Sequence, residues 1–145
     1  MNLQSSVSVV IPTFNRGHTL NRAIDSVLGQ TLLPSEIIVV DDGSTDGTEE
    51  LISTEYSSVS YIRSENRGVS AARNLGMKAA KSDWFAFLGS DDQWLPHKLE
   101  KQFECLSCNR DFKLVHCDEL WIRKGKRVNP KAKHQKHGGY IFEQC

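Results

Sequence analysis

Short blocks of bulky apolar residues alternate along the chain with longer stretches in which apolar positions recur every three or four residues. The blocks are Val7–Ile11 (VSVVI), Ile37–Val40 (IIVV), a weaker Val59–Ile62 (VSYI) and Trp84–Leu88 (WFAFL). The first, second and fourth lack polar alternation, which predicts strands covered on both faces, as in a parallel sheet. Leu20, Ala23, Ile24, Val27 and Leu28 lie on one helical stripe, and Ala71, Ala72, Leu75, Ala79 and Ala80 on another that tolerates Gly76. Thr48–Ile52 reads as a short helix opened by Ser44-Thr45-Asp46-Gly47, and Pro96–Leu106 as a helix started by proline. Four strands separated by helices are the pattern of right-handed βαβ crossovers. The expected class is therefore α/β, a mainly parallel sheet flanked by helices. After it, Leu114–Cys117 and Glu119–Arg123 read as further strands, with Lys124-Gly125-Lys126 as a turn.

Length adds little to this picture, because 145 residues suit one domain. No apolar run approaches the roughly 18 residues of a membrane span. The opening MNLQSS has no positive start followed by an apolar run. A cytoplasmic protein is expected, with the inner face of the membrane as an alternative place. Net charge is zero, yet residues 1–122 hold 17 acids against 11 Lys and Arg, while 123–137 hold seven Lys and Arg and no acid. The chain divides on this basis into a domain over 1–122 and a basic segment over 123–145. That segment could meet phosphates or an anionic bilayer at the periphery of a membrane, but a solvated surface is the plainer reading. No nucleic-acid partner is expected. An unpaired sheet edge would allow an oligomer.

The polar residues gather where the strands end. Pro12-Thr13-Phe14-Asn15-Arg16 follows the first strand and Asp41-Asp42-Gly43-Ser44 the second. Ser64-Glu65-Asn66-Arg67-Gly68 follows the third, and Gly89-Ser90-Asp91-Asp92 the fourth. Ligands of such sheets sit outside the carboxyl ends of the strands, near the point where strand order reverses. Each loop alone has a plain structural explanation as a turn or helix cap. Two pairs of like charges, each closing a buried strand, cost free energy unless a cation or hydrogen-bond donors offset them.

Several sites are excluded by pattern. There is no GxGxxG after the first strand and no GxxxxGK[ST] anywhere. Asp42-Gly43-Ser44-Thr45-Asp46-Gly47 begins like a calcium loop, but Ser53 stands where the required Glu would be. Cys105, Cys108, His116 and Cys117 superficially suggest zinc, without a second pair at a known ligand spacing. A phosphoacceptor receiver domain would place an acidic pair after the first strand, where this chain has Pro-Thr-Phe-Asn.

VSVVIPTFNR, SEIIVVDDGSTDGT, ENRGVSAARNLG and WFAFLGSDDQWLP, in this order over about residues 7–100, resemble the family 2 glycosyltransferases of GT-A fold. The resemblance implies a Rossmann-like, mainly parallel sheet, here truncated at its C-terminal side. It implies transfer of a sugar, with inversion, from a nucleotide-diphosphate-sugar donor to a saccharide or lipid-linked acceptor. Carboxylates of such enzymes hold Mn²⁺ or Mg²⁺ against the diphosphate. Carried over by motif, Asp91 and Asp92 would contact the metal, Asp91 alternatively the ribose. Asp42 would accept a hydrogen bond from the base, with Asp41 supporting it. Pro12, Thr13, Phe14 and Asn15 would line the base pocket, and Arg73 and Arg67 would lie near the phosphates. For Arg73, a surface salt bridge is an equal alternative.

Two departures stand out. Gly89 occupies the place of the first carboxylate in the usual Asp-x-Asp-Asp. The general base of the family lies in a later part of longer domains, beyond the place of Cys145, so no catalytic residue is named here. Asp118-Glu119 is set aside for that role, because it falls within an expected strand. The expectation is a donor-binding half of a glycosyltransferase, the alternative a non-catalytic nucleotide-binding or interaction module.

Overall fold

The computed structural model describes residues 7–108, 111–129, 134 and 136. Most of the basic segment 123–145, including Cys145, lies outside the described residues. Ten elements follow in order: β1 (Val7–Thr13), α1 (Gly17–Leu28), β2 (Glu36–Asp41), α2 (Thr48–Glu55), β3 (Ser60–Arg63), α3 (Val69–Ala79), β4 (Trp84–Phe87), α4 (Lys98–Cys108), β5 (Trp121–Arg123) and β6 (Lys126–Val128). Strands β1 to β4 form one sheet in the order β3-β2-β1-β4, with every pair parallel.

The unbroken apolar runs of β1 and β2 are explained by a core on each face of the sheet; β4 departs from the expectation, because as an edge strand it packs only Trp84 and Ala86 against a core and leaves Phe85 and Phe87 exposed. Val7, Val9 and Ile11 of β1 and Ile37 and Val39 of β2 point into a cluster with Leu20, Ala23, Ile24 and Val27 of α1. Leu99, Phe103 and Leu106 of α4, with Ile52 of α2, complete that side. The alternate residues Val10, Ile38 and Val40 meet Ala72 of α3 on the opposite face. Helix α3 comes so close that a Cβ on Gly76 would lie 2.3 Å from Val10 Cγ1. The glycine is thus a packing requirement rather than a tolerated weakness.

The chain runs outward from β1 to β2 to β3, then returns across the sheet to place β4 on the other side of β1. The first two crossovers use one face and the third the other, as right-handed connections require when direction reverses. The reversal opens a switch point between β1 and β4.

Beyond α4 the expectations need correction. Leu114–Cys117 is not a strand; these residues are irregular and pair with neither edge of the sheet, and Leu114 is largely exposed. The strand expected from Glu119 begins at Trp121 and forms an antiparallel hairpin with β6, with Lys124 and Gly125 in its turn. Helix α4 starts at Lys98 rather than Pro96. Among the described residues no helix is long and apolar enough to cross a membrane.

Candidate functional site

All four strands point the same way, so the four polar loops share one rim of the sheet. Strands β1 and β2 stay paired up to Thr13 opposite Asp41. Strand β4 leaves β1 earlier, its register ending at Phe87 opposite Val10. One more hydrogen bond, from Leu88 N to Val10 O at 3.2 Å, precedes the departure of Gly89-Ser90-Asp91-Asp92. The last three residues of β1 thus lack a β4 partner, and a crevice opens beside them.

Thr13 stands at this crevice. It is 3% exposed, and its Oγ1 is the one buried side-chain polar atom among the described residues with no hydrogen-bond partner. Buried hydroxyls are ordinarily satisfied, so this orphan at the switch point stands out. Next to it Pro12 is buried, whereas Phe14 is 45% exposed and so is not a core residue. Asn15 takes a left-handed backbone conformation, φ 50°, uncommon for a residue with a side chain. Two bonds hold it there: Asn15 N donates to Ser44 Oγ at 2.8 Å, and Thr45 N donates to Asn15 Oδ1 at 2.9 Å.

Across the rim, Asp41 is fully buried and Asp42 nearly so. Asp41 accepts hydrogen bonds from Ser44 N at 2.8 Å and Tyr61 Oη at 2.5 Å, with the Arg63 guanidinium at 3.9 Å. Burial and the Asp41 carboxylate hold the Tyr61 hydroxyl strongly protonated, well above the usual tyrosine range. Asp42 receives the backbone N–H groups of Arg67 at 2.9 Å and Gly68 at 2.8 Å, one on each oxygen. It thereby ties the loop after β3, and with it the start of α3, to the end of β2. The Arg67 side chain is exposed. Arg73 is also exposed, and its guanidinium carbon lies 5.9 Å from the ring centre of Phe87 rather than in an ion pair.

Asp91 and Asp92 have a different environment. Both are exposed, and no described residue donates a hydrogen bond to either carboxylate. Partial burial, then the neighbouring charges of Asp91 and Glu119, push the Asp92 carboxyl above its ordinary range. The acids fold back over the chain, for a Cβ on Gly89 would lie 2.8 Å from Asp92 Oδ2. The influence of Glu119 was not foreseen from sequence, since only the hairpin's placement reveals it. Glu119 is itself held by Lys136 Nζ at 2.6 Å and Trp121 Nε1 at 2.9 Å, which keep its carboxyl below the usual range. Tyr61 and Arg63 were also missed, because β3 reads in sequence only as a weak strand.

Among the described residues no three His, Cys, Asp or Glu side chains form a ready metal cage, and Cys105, Cys108 and Cys117 are exposed. Two carboxylates without donors do suit a hard divalent ion that keeps other positions for water and phosphate oxygens.

The family model described as glycosyl transferase family 2 matches residues 8–134. The chain belongs to that family. Similar proteins include an uncharacterised glycosyltransferase of Rickettsia typhi, 40% identical over 113 residues, covering 77% of this chain and 35% of the relative. A putative teichuronic acid biosynthesis glycosyltransferase of Bacillus subtilis is 40% identical over 108 residues, covering 71% of this chain and 42% of the relative. The chain thus spans less than half the length of these relatives. Solved structures share the fold. S. aureus TarS 1-349 in complex with UDP-GlcNAc matches with a TM-score of 0.63 at 24% identity, over 72% of this chain and 32% of that one. The mannosyltransferase PcManGT of Pyrobaculum calidifontis, in complex with GDP-Man and Mn²⁺, matches with 0.62 at 23% identity, over 70% and 32%. The GT-A architecture read from the motifs is therefore the architecture this family 2 chain adopts.

Proposed function

We propose that this chain binds a nucleotide-diphosphate sugar along the carboxyl rim and presents it for transfer, with inversion, to a saccharide or lipid-linked acceptor. The observation that carries the reading is the state of Asp91 and Asp92: an acidic pair at the switch point with no donor among the described residues to offset it. Nucleotide sugars in complexes of the structural neighbours, one of them with Mn²⁺, support it.

In this reading Phe14 offers its exposed ring to the base, between Asn15 and the orphan hydroxyl of Thr13. Asp42, its oxygens already receiving two N–H groups, keeps lone-pair directions for a base or ribose donor. Pro12 and Asp41 shape that wall from beneath. Arg73 and Arg67 lie where their charge attracts the diphosphate. Asp91 and Asp92 would hold Mn²⁺ or Mg²⁺. A cation bound there supplies positive charge against the negative charge that builds on the leaving diphosphate. The protein's own residues orient the donor and shield it, and the acceptor's proton requires a base that none of the residues above supplies. Domain limits of 1–122 for the donor-binding part and 123–145 for the segment leading onward, and work in the cytoplasm beside the membrane, belong to the same proposal.

A ligand that binds only the folded state must stabilise it. UDP, GDP or dTDP with Mn²⁺ is expected to raise the melting temperature. Unchanged melting with all three nucleotides would overturn the reading.

A further inference from the structure

The edge strand β3 contributes two side chains to the rim that have no place in the reading above. Tyr61 and Arg63 lie two residues apart on one face of β3; Tyr61 reaches the last residue of β2 and Arg63 the loop that follows it. Tyr61 Oη bonds Asp41 Oδ2, and Arg63 Nη2 donates to the carbonyl of Ser44 at 2.8 Å. Arg63 is braced from the other side by Glu49 at 3.2 Å.

Ser44 is where these contacts converge, and it is buried. Its N–H is spent on Asp41, its carbonyl on Arg63, and its hydroxyl accepts the N–H of Asn15. With every polar atom of Ser44 engaged, its position fixes that of Asn15. Asparagine tolerates the left-handed region better than other residues with a side chain, and these contacts select that conformation at Asn15. What the turn accompanies is visible one residue earlier, where Phe14 is held out of the core.

We propose that Tyr61 and Arg63 are positioning residues of the donor pocket, acting through Asp41 and Ser44 to hold the Asn15 turn and so set Phe14 against the nucleotide base. This rests on the donor-binding reading. Neither residue touches the ligand; both act at a distance of one strand. Substitutions at β3 should consequently read out in nucleotide affinity and in the Asn15 amide, not only in stability.

The test uses UDP and GDP titrated calorimetrically with Mn²⁺, well below the melting temperature, for the natural chain, Tyr61→Phe, Arg63→Gln, Ser44→Ala and the double variant Tyr61→Phe/Ser44→Ala. Loss of a hydrogen bond to a charged group predicts that Tyr61→Phe weakens binding of the preferred nucleotide about tenfold or more. Because both single changes break one chain of contacts, the double variant is expected to bind no more weakly than the weaker single variant, within about threefold. Without ligand, Asn15 N–H exchange should speed up about tenfold in Tyr61→Phe, while Val9 and Val39 keep their protection. Affinity within about twofold of the natural chain in both Tyr61→Phe and Arg63→Gln, or losses that multiply in the double variant, would overturn the relay alone. Failure of the natural chain to bind either nucleotide would remove the donor reading and this inference with it.

Discussion

The two Asp-Asp pairs follow strands on either side of β1, on the same rim of the same sheet, and the fold treats them in opposite ways. Asp41 and Asp42 are buried, and each receives two hydrogen bonds, from Ser44 N, Tyr61 Oη, Arg67 N and Gly68 N. Asp91 and Asp92 are exposed, with no such donors among the described residues, and partial burial, then the charges of Asp91 and Glu119, raise the proton affinity of Asp92. The first pair is internal wiring, and its charge is consumed by the loops it ties together. The second is left uncompensated, as a group waiting for a positive partner must be. Identical dipeptides acquire different chemistry from the donors that surrounding backbone brings to them.

The contrast can be broken by substitution, and the largest effect is expected at Asp41. Asp41→Ala leaves the Ser44 amide and the Tyr61 hydroxyl without an acceptor in a buried place. It should cost about 3 kcal/mol in urea unfolding, with or without nucleotide. A loss below a third of that would mean the pair is not wired as described.

Asp92→Asn should behave in the reverse manner. The metal-free protein keeps or slightly gains stability, because a repulsion is removed. Of the nucleotide stabilisation with Mn²⁺, about 2.7 kcal/mol in total at a hundredfold excess over Kd, the Mn²⁺-dependent part should vanish. A metal response that survives in thermal melts would place the cation elsewhere.

Asp42→Ala is smaller again. It removes an acceptor for two loop N–H groups and should cost about 1–2 kcal/mol, with faster amide exchange at Arg67 and Gly68. Unchanged exchange at both would show that the loop after β3 is held by other contacts.

The smallest effect concerns Lys98, a strongly shifted cation at the start of α4. Lys98 rests its ammonium 3.6 Å from the centre of the Trp94 ring, and burial pushes it down to about 8 from 10.5. Between those values the unfolded chain binds more protons than the folded one, so stability rises with pH through that window. Lys98→Met should raise the melting temperature at pH 7 by about 1–3 °C. The gain should shrink steadily from pH 8 to pH 10.5. A gain independent of pH would assign it to packing instead.

Much of this was legible because burial leaves a mark in residue type. VSVVI and IIVV announce strands covered on both sides, and the stripe through Ala72 and Leu75 announces the helix that covers one face; WFAFL reads the same way, yet as an edge strand it leaves Phe85 and Phe87 each 41% exposed. The loops were legible because Asp, Asn and Gly collect where the strands stop. The donors to Asp42 were not, since backbone N–H groups carry no residue identity. Tyr61 was not, because its hydroxyl meets Asp41 only through the pairing of β3 with β2. Leu114–Cys117 has the composition of a strand, but composition cannot supply a neighbour to pair with. The charge of Glu119 reaches Asp92 through a hairpin whose placement no local pattern encodes.

Gly76 carries a consequence for how the molecule tolerates change. At Gly76 helix α3 rides directly on Val10 and Val40, while its first turn hangs from Asp42 through Gly68. A methyl group added at Gly76 would act like a wedge under a seesaw, lifting the helix from the sheet and tugging on its tethered end. Damage to nucleotide affinity could then arise from a residue that no ligand ever approaches, two turns along the helix from where the loss is felt.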